Sequence, residues 1–139
     1  MEKKNMNENK TKNHYKILFV EQDVFITDMY KVIFEERGFD FFSLEKIPDD
    51  FIEKVFEIKP DIITMDLIVS HEGFQAVRML KNDQRTKGIP VVFLTNCGQK
   101  EDIEQGMALG AIDYMIKGNY SQNEVIDKLL HHLNANPSL

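Results

Sequence analysis

In this 139-residue chain, the residues best suited to catalysis or metal binding are polar side chains that directly follow short apolar runs. They are Glu21, Gln22 and Asp23 after the first run, Asp66 after the third, Thr95 after the fourth and Lys117 after the fifth. Clustered carboxylates repel one another and bind a hard divalent cation such as Mg²⁺ through oxygen. A metal, a Lys ammonium and a Thr hydroxyl together suit a phosphoryl group. A carboxylate in that setting can be the nucleophile and form an aspartyl phosphate.

The elements that position these residues are predicted from the apolar pattern. Short apolar runs bounded by polar residues indicate buried strands, and apolar residues at three- and four-residue spacing indicate helices. The predicted strands are residues 17–20, 39–44, 62–65, 91–94 and 112–116. The predicted helices are residues 24–37, 48–58, 74–81 and 101–109, followed by a last helix that opens at Ser121.

The alternation of five strands with five helices predicts an α/β fold, a parallel sheet with helices on both faces. The Ser121-x-x-Glu124 pattern is a capping box, in which each side chain accepts a hydrogen bond from the backbone amide of the other residue. In such a sheet, polar chemistry gathers beyond the carboxyl ends of the strands. The polar residues that follow the strands are therefore expected to share one edge of the sheet.

The amino-acid composition limits the classes of protein to which this chain can belong. A hydrophobic fraction of 42% with 29% charged residues is typical of a globular domain. The single cysteine, Cys97, excludes an intramolecular disulfide and a cysteine cluster for zinc. No apolar run approaches the length of a membrane span, and the first residues lack an apolar signal segment, so a cytoplasmic protein without membrane contact is expected.

The charge is distributed unevenly along the chain. The first 16 residues carry five Lys and two Glu, whereas the whole chain has a net charge of −6. Residues 1–15 are therefore predicted to be a flexible basic tail, residues 16–134 the folded domain and residues 135–139 a short C-terminal tail. Because an acidic body repels a phosphate backbone, direct nucleic-acid binding is not expected.

Four segments together resemble the receiver domain of bacterial two-component response regulators. They are Ile-Leu-Phe-Val-Glu-Gln-Asp (17–23), Pro-Asp-Ile-Ile-Thr-Met-Asp-Leu (60–67), Ile-Pro-Val-Val-Phe-Leu-Thr (89–95) and Gly-Ala-Ile-Asp-Tyr-Met-Ile-Lys (110–117). Their order and spacing match from about residue 16 to residue 133. The resemblance implies a flavodoxin-like, doubly wound sheet with strand order 2-1-3-4-5 and five helices.

The resemblance implies a role for each matching residue. Asp66 matches the phospho-acceptor, and Glu21 and Gln22 match the acidic pair that holds Mg²⁺, with Asp23 directly after it. Ile68 matches the position whose backbone carbonyl completes the metal shell. For Asp23, capping of the first helix is an alternative to metal contact.

Three further residues match the machinery that responds to the phosphoryl group. Thr95 matches the hydroxyl that moves toward the phosphoryl group during activation, and Lys117 matches the lysine that forms an ion pair with the phosphoryl group. Tyr114 matches the aromatic switch that turns inward, although an ordinary core or surface tyrosine is an equal alternative. Gly73 matches the glycine that ends the loop after the acceptor.

The chain departs from the family pattern at five positions: Gln22, Ser70, Glu72, Asn96 and Gly118. Gln22 has the largest consequence, because a neutral amide replaces a carboxylate that usually ligates the metal. We expect Mg²⁺ to bind more weakly without being lost. Asn96, next to Thr95, is bulkier than the residue usual there and is expected to narrow access for the phosphoryl group.

The sequence therefore predicts a response regulator receiver, not an enzyme, that accepts a phosphoryl group from a histidine kinase or a phosphotransfer protein on Asp66. The signal is expected to leave through the face formed by the fourth helix, fifth strand and fifth helix, to a downstream protein or in a homodimer. The alternative is a degenerate receiver that binds partners without phosphorylation. A phosphate-ester hydrolase is disfavoured, because Ile68 stands where a second Asp is needed.

Overall fold

The alternating apolar pattern folds into five strands and five α-helices in the computed structural model, which describes residues 14–67 and 72–135. The strands are β1 (Lys16–Val20), β2 (Asp40–Leu44), β3 (Ile62–Met65), β4 (Val91–Thr95) and β5 (Asp113–Ile116). The helices are α1 (Val24–Glu36), α2 (Phe51–Ile58), α3 (Glu72–Lys81), α4 (Lys100–Ala108) and α5 (Gln122–Ala135), with a 3-10 turn at Lys117–Asn119.

The strands form one parallel sheet in the order β2-β1-β3-β4-β5. This topology confirms the predicted flavodoxin-like, doubly wound fold. Every residue of β3 and β4 is buried, because helices cover both faces of a parallel sheet. The carboxyl ends of β1, β3, β4 and β5 consequently meet at one edge.

Two apolar cores lie on opposite faces of the sheet. The first, on the side of α1 and α5, includes Phe19, Phe34 and Ile126. The second, on the side of α2 and α3, includes Phe74 and Phe93. All five side chains are at most 2% exposed, and burial of each contributes about 1.5–3 kcal/mol to folding. The cores therefore hold the sheet rigid beneath the polar edge.

The helix boundaries agree with the sequence pattern except at the second and third helices. The capping box is confirmed: Ser121 N donates to Glu124 Oε1 at 2.8 Å, and Glu124 N donates to Ser121 Oγ at 3.1 Å. The prediction that the second helix opens at Pro48 was wrong, because Pro48 belongs to a turn and the helix begins at Phe51. The third helix begins at Glu72, two residues earlier than predicted.

The two ends of the described chain pack against each other. Tyr15 is buried, its ring lies 6.1 Å from the Phe39 ring, and its hydroxyl donates to Asn134 Oδ1 at 2.9 Å. Tyr15, which the predicted boundary placed in the tail, is therefore packed against the folded domain. Residues 1–13 of the predicted basic tail and residues 136–139 of the predicted C-terminal tail lie outside the described residues. Within the described ranges, every helix is too short or too polar to cross a membrane.

Candidate functional site

Backbone hydrogen bonds bring the residues after β1 and β3 side by side. Asp66 N donates to Val20 O at 3.1 Å, and Glu21 N donates to Leu44 O at 3.0 Å. Both bonds continue the ladder of the parallel sheet by one residue beyond the strands. Glu21 and Asp66 are thus fixed at the same edge by the pairing of their strands.

One ammonium group bridges these two carboxylates. Lys117, which directly follows β5, places Nζ 2.6 Å from Glu21 Oε1 and 2.9 Å from Asp66 Oδ2. The side chains of Glu21, Asp66 and Lys117 are 3%, 13% and 14% exposed. Because the three groups are largely removed from water, their mutual attraction is screened less than that of a surface ion pair. The cluster carries two negative charges and one positive charge.

Burial and ion pairing set the protonation of this cluster. Burial raises the pKa of Glu21 above its usual value, although hydrogen bonds from Lys117 and from the backbone amide of Asp23 oppose that effect. For Lys117, burial lowers the pKa, but hydrogen bonds to Glu21 and Asp66 outweigh it, so the pKa is raised overall. Lys117 therefore stays protonated at neutral pH, and its hydrogen bond offsets part of the effect of burial on Glu21.

Thr95 and Tyr114 lie on the two strands next to this cluster. Thr95, at the end of β4, is 1% exposed and pairs in register with Ile116, the residue before Lys117. The Thr95 hydroxyl oxygen accepts a hydrogen bond from Cys97 N at 3.2 Å. This contact uses the oxygen as an acceptor and leaves the hydroxyl proton for another partner.

Tyr114 packs inward from β5. Its ring centroid lies 5.4 Å from that of Phe93, and its hydroxyl donates to the Cys97 carbonyl. Burial raises the pKa of Tyr114 above its usual value, with further contributions from the charges of Asp102, Cys97 and Asp66. The Tyr114 ring is half-buried against the core, a position open to either alternative, an ordinary tyrosine or a switch. The role of Tyr114 as a switch therefore stays a prediction.

The two residues after Glu21, Gln22 and Asp23, differ in their surroundings. Asp23 caps α1, because its Oδ1 accepts hydrogen bonds from Phe25 N at 2.9 Å and Ile26 N at 3.3 Å. The capping alternative is therefore observed, while metal contact by Asp23 stays a prediction. The Gln22 side chain is exposed, so its amide is open to solvent beside the cluster.

This edge is suited to transfer of a group onto a carboxylate. Asp66 has a carboxylate directed to one edge, with a fixed cation on one oxygen and a second carboxylate behind that cation. Such a cation neutralises charge that develops on the oxygens of an incoming phosphoryl group.

Comparison with known proteins identifies the family to which this chain belongs. The model of the response regulator receiver domain matches residues 17–130. The chain belongs to the response regulator receiver domain family. Domains of this family are signalling modules of two-component systems rather than classical enzymes, with phosphorylation on Asp and Mg²⁺ binding at that site.

Two relatives illustrate the similarity in sequence. The phosphate regulon transcriptional regulatory protein PhoB of Klebsiella pneumoniae is 33% identical over 115 residues, 82% of this chain and 49% of PhoB. Protein PilH of Pseudomonas aeruginosa is 35% identical over 94 residues, 66% of this chain and 77% of PilH. This chain thus spans about half the length of the PhoB protein that it matches.

One solved structure shares the fold. The BeF3-activated N-terminal receiver domain of Klebsiella pneumoniae RstA superposes with a TM-score of 0.75 at 24% identity. The match covers 85% of this chain and 97% of that chain. The receiver architecture is therefore common to the two proteins.

The donor set of this receiver fits Mg²⁺. Among residues 14–67 and 72–135, no group of three or more His, Cys, Asp or Glu side chains is arranged to hold a metal. Mg²⁺ in proteins usually keeps several waters and takes only one or two carboxylates. Glu21 and Asp66, which share one ammonium, supply that number. Ile68, whose backbone carbonyl is one of the further predicted ligands, lies outside the described residues.

Gly73 lets α3 begin close to the acceptor. A Cβ atom at this position would lie 2.5 Å from Asp66 O and 3.0 Å from Leu67 Cα, both of them backbone atoms that cannot move aside cheaply. A glycine is therefore required at the position that the sequence predicted to end the loop after Asp66.

Sequence reasoning missed two residues around Tyr114. Cys97, which the sequence analysis considered only for disulfide and zinc chemistry, accepts the Tyr114 hydrogen bond through its backbone carbonyl. Gly106, inside α4, adjoins the rings of Phe93 and Tyr114. The available signal was a glycine in a helix interior, where it is less favourable than alanine.

The Asp23→Ala variant is expected to lose about 1 kcal/mol of stability, because two amides at the start of α1 lose their acceptor. Urea denaturation of the unphosphorylated chain measures this loss. Asp23→Asn is the matched control, since an asparagine side-chain oxygen can still cap the helix. An Asp23→Asn variant as unstable as Asp23→Ala would contradict the capping role.

Proposed function

We propose that this receiver takes a phosphoryl group from a histidine kinase or a phosphotransfer protein onto Asp66 and signals through protein contacts. The observation that carries the proposal is the Lys117 ammonium, 2.9 Å from Asp66 Oδ2 and 2.6 Å from Glu21 Oε1. A phosphoryl acceptor needs a nucleophilic oxygen and a fixed cation beside it, and this cluster supplies both.

The reaction proceeds by displacement at phosphorus. A carboxylate oxygen of Asp66 forms a bond to the phosphorus of a phosphohistidine while the P–N bond breaks, and the electron pair leaves with the imidazole nitrogen. Lys117 neutralises charge on the phosphoryl oxygens, and the Thr95 hydroxyl proton forms a hydrogen bond to one of them. In this proposal Lys117 exchanges part of its contact with Asp66 for a contact with the phosphoryl group.

Glu21 and Asp66 are the residues that would hold Mg²⁺, with oxygen atoms of Gln22, Asp23 and the Ile68 backbone as further candidates. When bound, Mg²⁺ neutralises charge on the transferred group. Glu21 is suited to this task because it is fixed by two hydrogen bonds, from Lys117 and from the Asp23 backbone amide.

The test is the intact mass of the full chain after incubation with acetyl phosphate, once with Mg²⁺ and once with a chelator. We expect a gain of one phosphoryl group with Mg²⁺ and no gain with the chelator. The absence of any gain at high Mg²⁺ would overturn the proposal and favour the degenerate receiver, for which the neutral and exposed Gln22 is the supporting feature.

The Gln22→Asp variant is expected to bind Mg²⁺ about tenfold more tightly. A carboxylate about 4 Å from a divalent cation gains about 2 kcal/mol even in a water-like medium, part of which desolvation removes. Isothermal titration calorimetry measures the affinity, and Gln22→Asn is the matched control because it has the shape of Asp without the charge. Equal affinities in the Asp and Asn variants would show that Gln22 lies too far from the metal to matter.

The proposed output surface is the face formed by α4, β5 and α5. Asp113 Oδ2 lies 2.8 Å from His132 Nε2 and 3.4 Å from Lys128 Nζ, so polar contacts connect β5 to α5. Met107 on α4 is 43% exposed and offers an apolar contact on this side of the molecule. Because Tyr114 lies on β5, a change in its position would alter the same face that a downstream protein or a second copy of the chain would contact.

Three further expectations complete the proposal. They are a cytoplasmic location, no direct contact with a membrane, and no direct contact with nucleic acid. The acidic balance of the chain, with a net charge of −6, supports the last of these, because the phosphate backbone of nucleic acid is itself negative.

A further inference from the structure

Gly106 leaves a space that two aromatic rings occupy. A Cβ atom at this position would lie 2.9 Å from Phe93 Cε2, 3.0 Å from Phe93 Cδ2 and 3.0 Å from Tyr114 Cδ2. These separations are closer than ordinary van der Waals contact, so an alanine here would force a ring to move. Glycine is otherwise disfavoured in the interior of a helix, which makes the close approach of the rings the physical reason for its presence.

The ring that would move is that of Tyr114. Phe93 is fully buried and packs edge-to-face on Phe74 with 5.5 Å between the ring centroids. Tyr114 is only half-buried and lies at the margin of the core. A close-packed interior resists displacement, so the strain of an added methyl group falls on the ring that has solvent on one side.

We infer that Gly106 is a positioning residue for Tyr114: the missing side chain lets the tyrosine ring pack inward against Phe93. The inward ring carries its hydroxyl to the Cys97 carbonyl. The amide of the same Cys97 donates to Thr95 Oγ at 3.2 Å. Gly106 therefore acts, through Tyr114, on the segment that follows the Thr95 hydroxyl. This placement can be tested without phosphorylation, and only its consequence for signalling rests on the proposed function.

The first test is NMR of the full chain as wild type, Gly106→Ala and Gly88→Ala. Gly88 is the matched control, because a Cβ there meets no atom within 4 Å. We expect nuclear Overhauser effects between the Tyr114 and Phe93 rings in the wild type and in Gly88→Ala, and a loss of at least several-fold in Gly106→Ala. Unchanged effects in Gly106→Ala, or their absence from the wild type, would overturn the inference.

The second test is a double-mutant cycle with Tyr114→Ala, followed by thermal denaturation. Gly106→Ala is expected to lower the midpoint temperature in the wild-type background and to lower it less when the Tyr114 ring is absent. If Gly106→Ala alone does not fold, the double variant is expected to fold again. An equal penalty in both backgrounds, or an unfolded double variant, would contradict the inference. Neither test involves phosphorylation, so its outcome is independent of the acetyl phosphate experiment.

Discussion

The Asp66→Asn variant is expected to gain no phosphoryl group from acetyl phosphate under conditions in which the wild type gains one. An amide oxygen carries no formal charge and is a far weaker nucleophile than a carboxylate, so the expected effect is complete loss rather than a reduced rate. Asparagine has nearly the shape of aspartate, and Lys117 keeps its contact with Glu21 at 2.6 Å. The fold should therefore survive the substitution.

A control substitution distinguishes loss of the acceptor from a general effect of replacing an aspartate in this chain. Asp28→Asn is the matched control, because Asp28 is exposed on α1 and has no place in the cluster. Intact-mass spectrometry of both variants, with far-UV circular dichroism to check folding, gives the comparison. A folded Asp66→Asn variant that still gains a phosphoryl group would mean that another residue is the acceptor, and peptide mapping of the product would identify it.

The sequence predicts the shared edge of the site because strand pairing alone determines it. A polar residue that follows a buried strand must emerge at the carboxyl end of that strand, and parallel strands place those ends together. The adjacency of Glu21 and Asp66 follows from β1 and β3 being neighbours. The same local logic predicts the capping box at Ser121, since it depends on residues only three apart.

The contacts that the sequence could not predict depend on side-chain packing between distant elements. The reach of Lys117 to both carboxylates, rather than to one, is set by the position of β5 relative to β1. The packing of Tyr15 against Phe39, and of Tyr114 beside Gly106, joins residues that no local pattern connects. Tertiary packing of this kind determines the detailed geometry within a fold that the apolar pattern already specifies.

The Lys117→Met variant is expected to lose about 3 kcal/mol of stability at neutral pH. Removal of one partner from a buried ion pair leaves an uncompensated buried charge, and that loss is typically about 3–5 kcal/mol. The lower end applies, because Asp66 at the edge of the cluster is partly open to solvent. The residue left most strongly uncompensated is Glu21, which is 3% exposed.

The loss should depend on pH, and its sign follows from Glu21. Burial already raises the pKa of Glu21 in the folded chain, so folding is favoured when this group is protonated and loses that contribution as pH rises through the folded pKa. Without Lys117 the pKa of Glu21 rises further. The penalty of Lys117→Met should therefore be largest above the folded pKa of Glu21 and should shrink as the pH falls toward the ordinary pKa of a glutamate.

Urea denaturation of the wild type and Lys117→Met, from about pH 5 to about pH 8, measures this dependence. Lys128→Met is the matched control. Lys128 pairs with Asp113 at 3.4 Å and is 41% exposed, and such surface pairs contribute about 0–1 kcal/mol. A Lys117→Met penalty as small as that of Lys128→Met, or one that does not change with pH, would mean that the buried carboxylates are stabilised by something other than this ammonium.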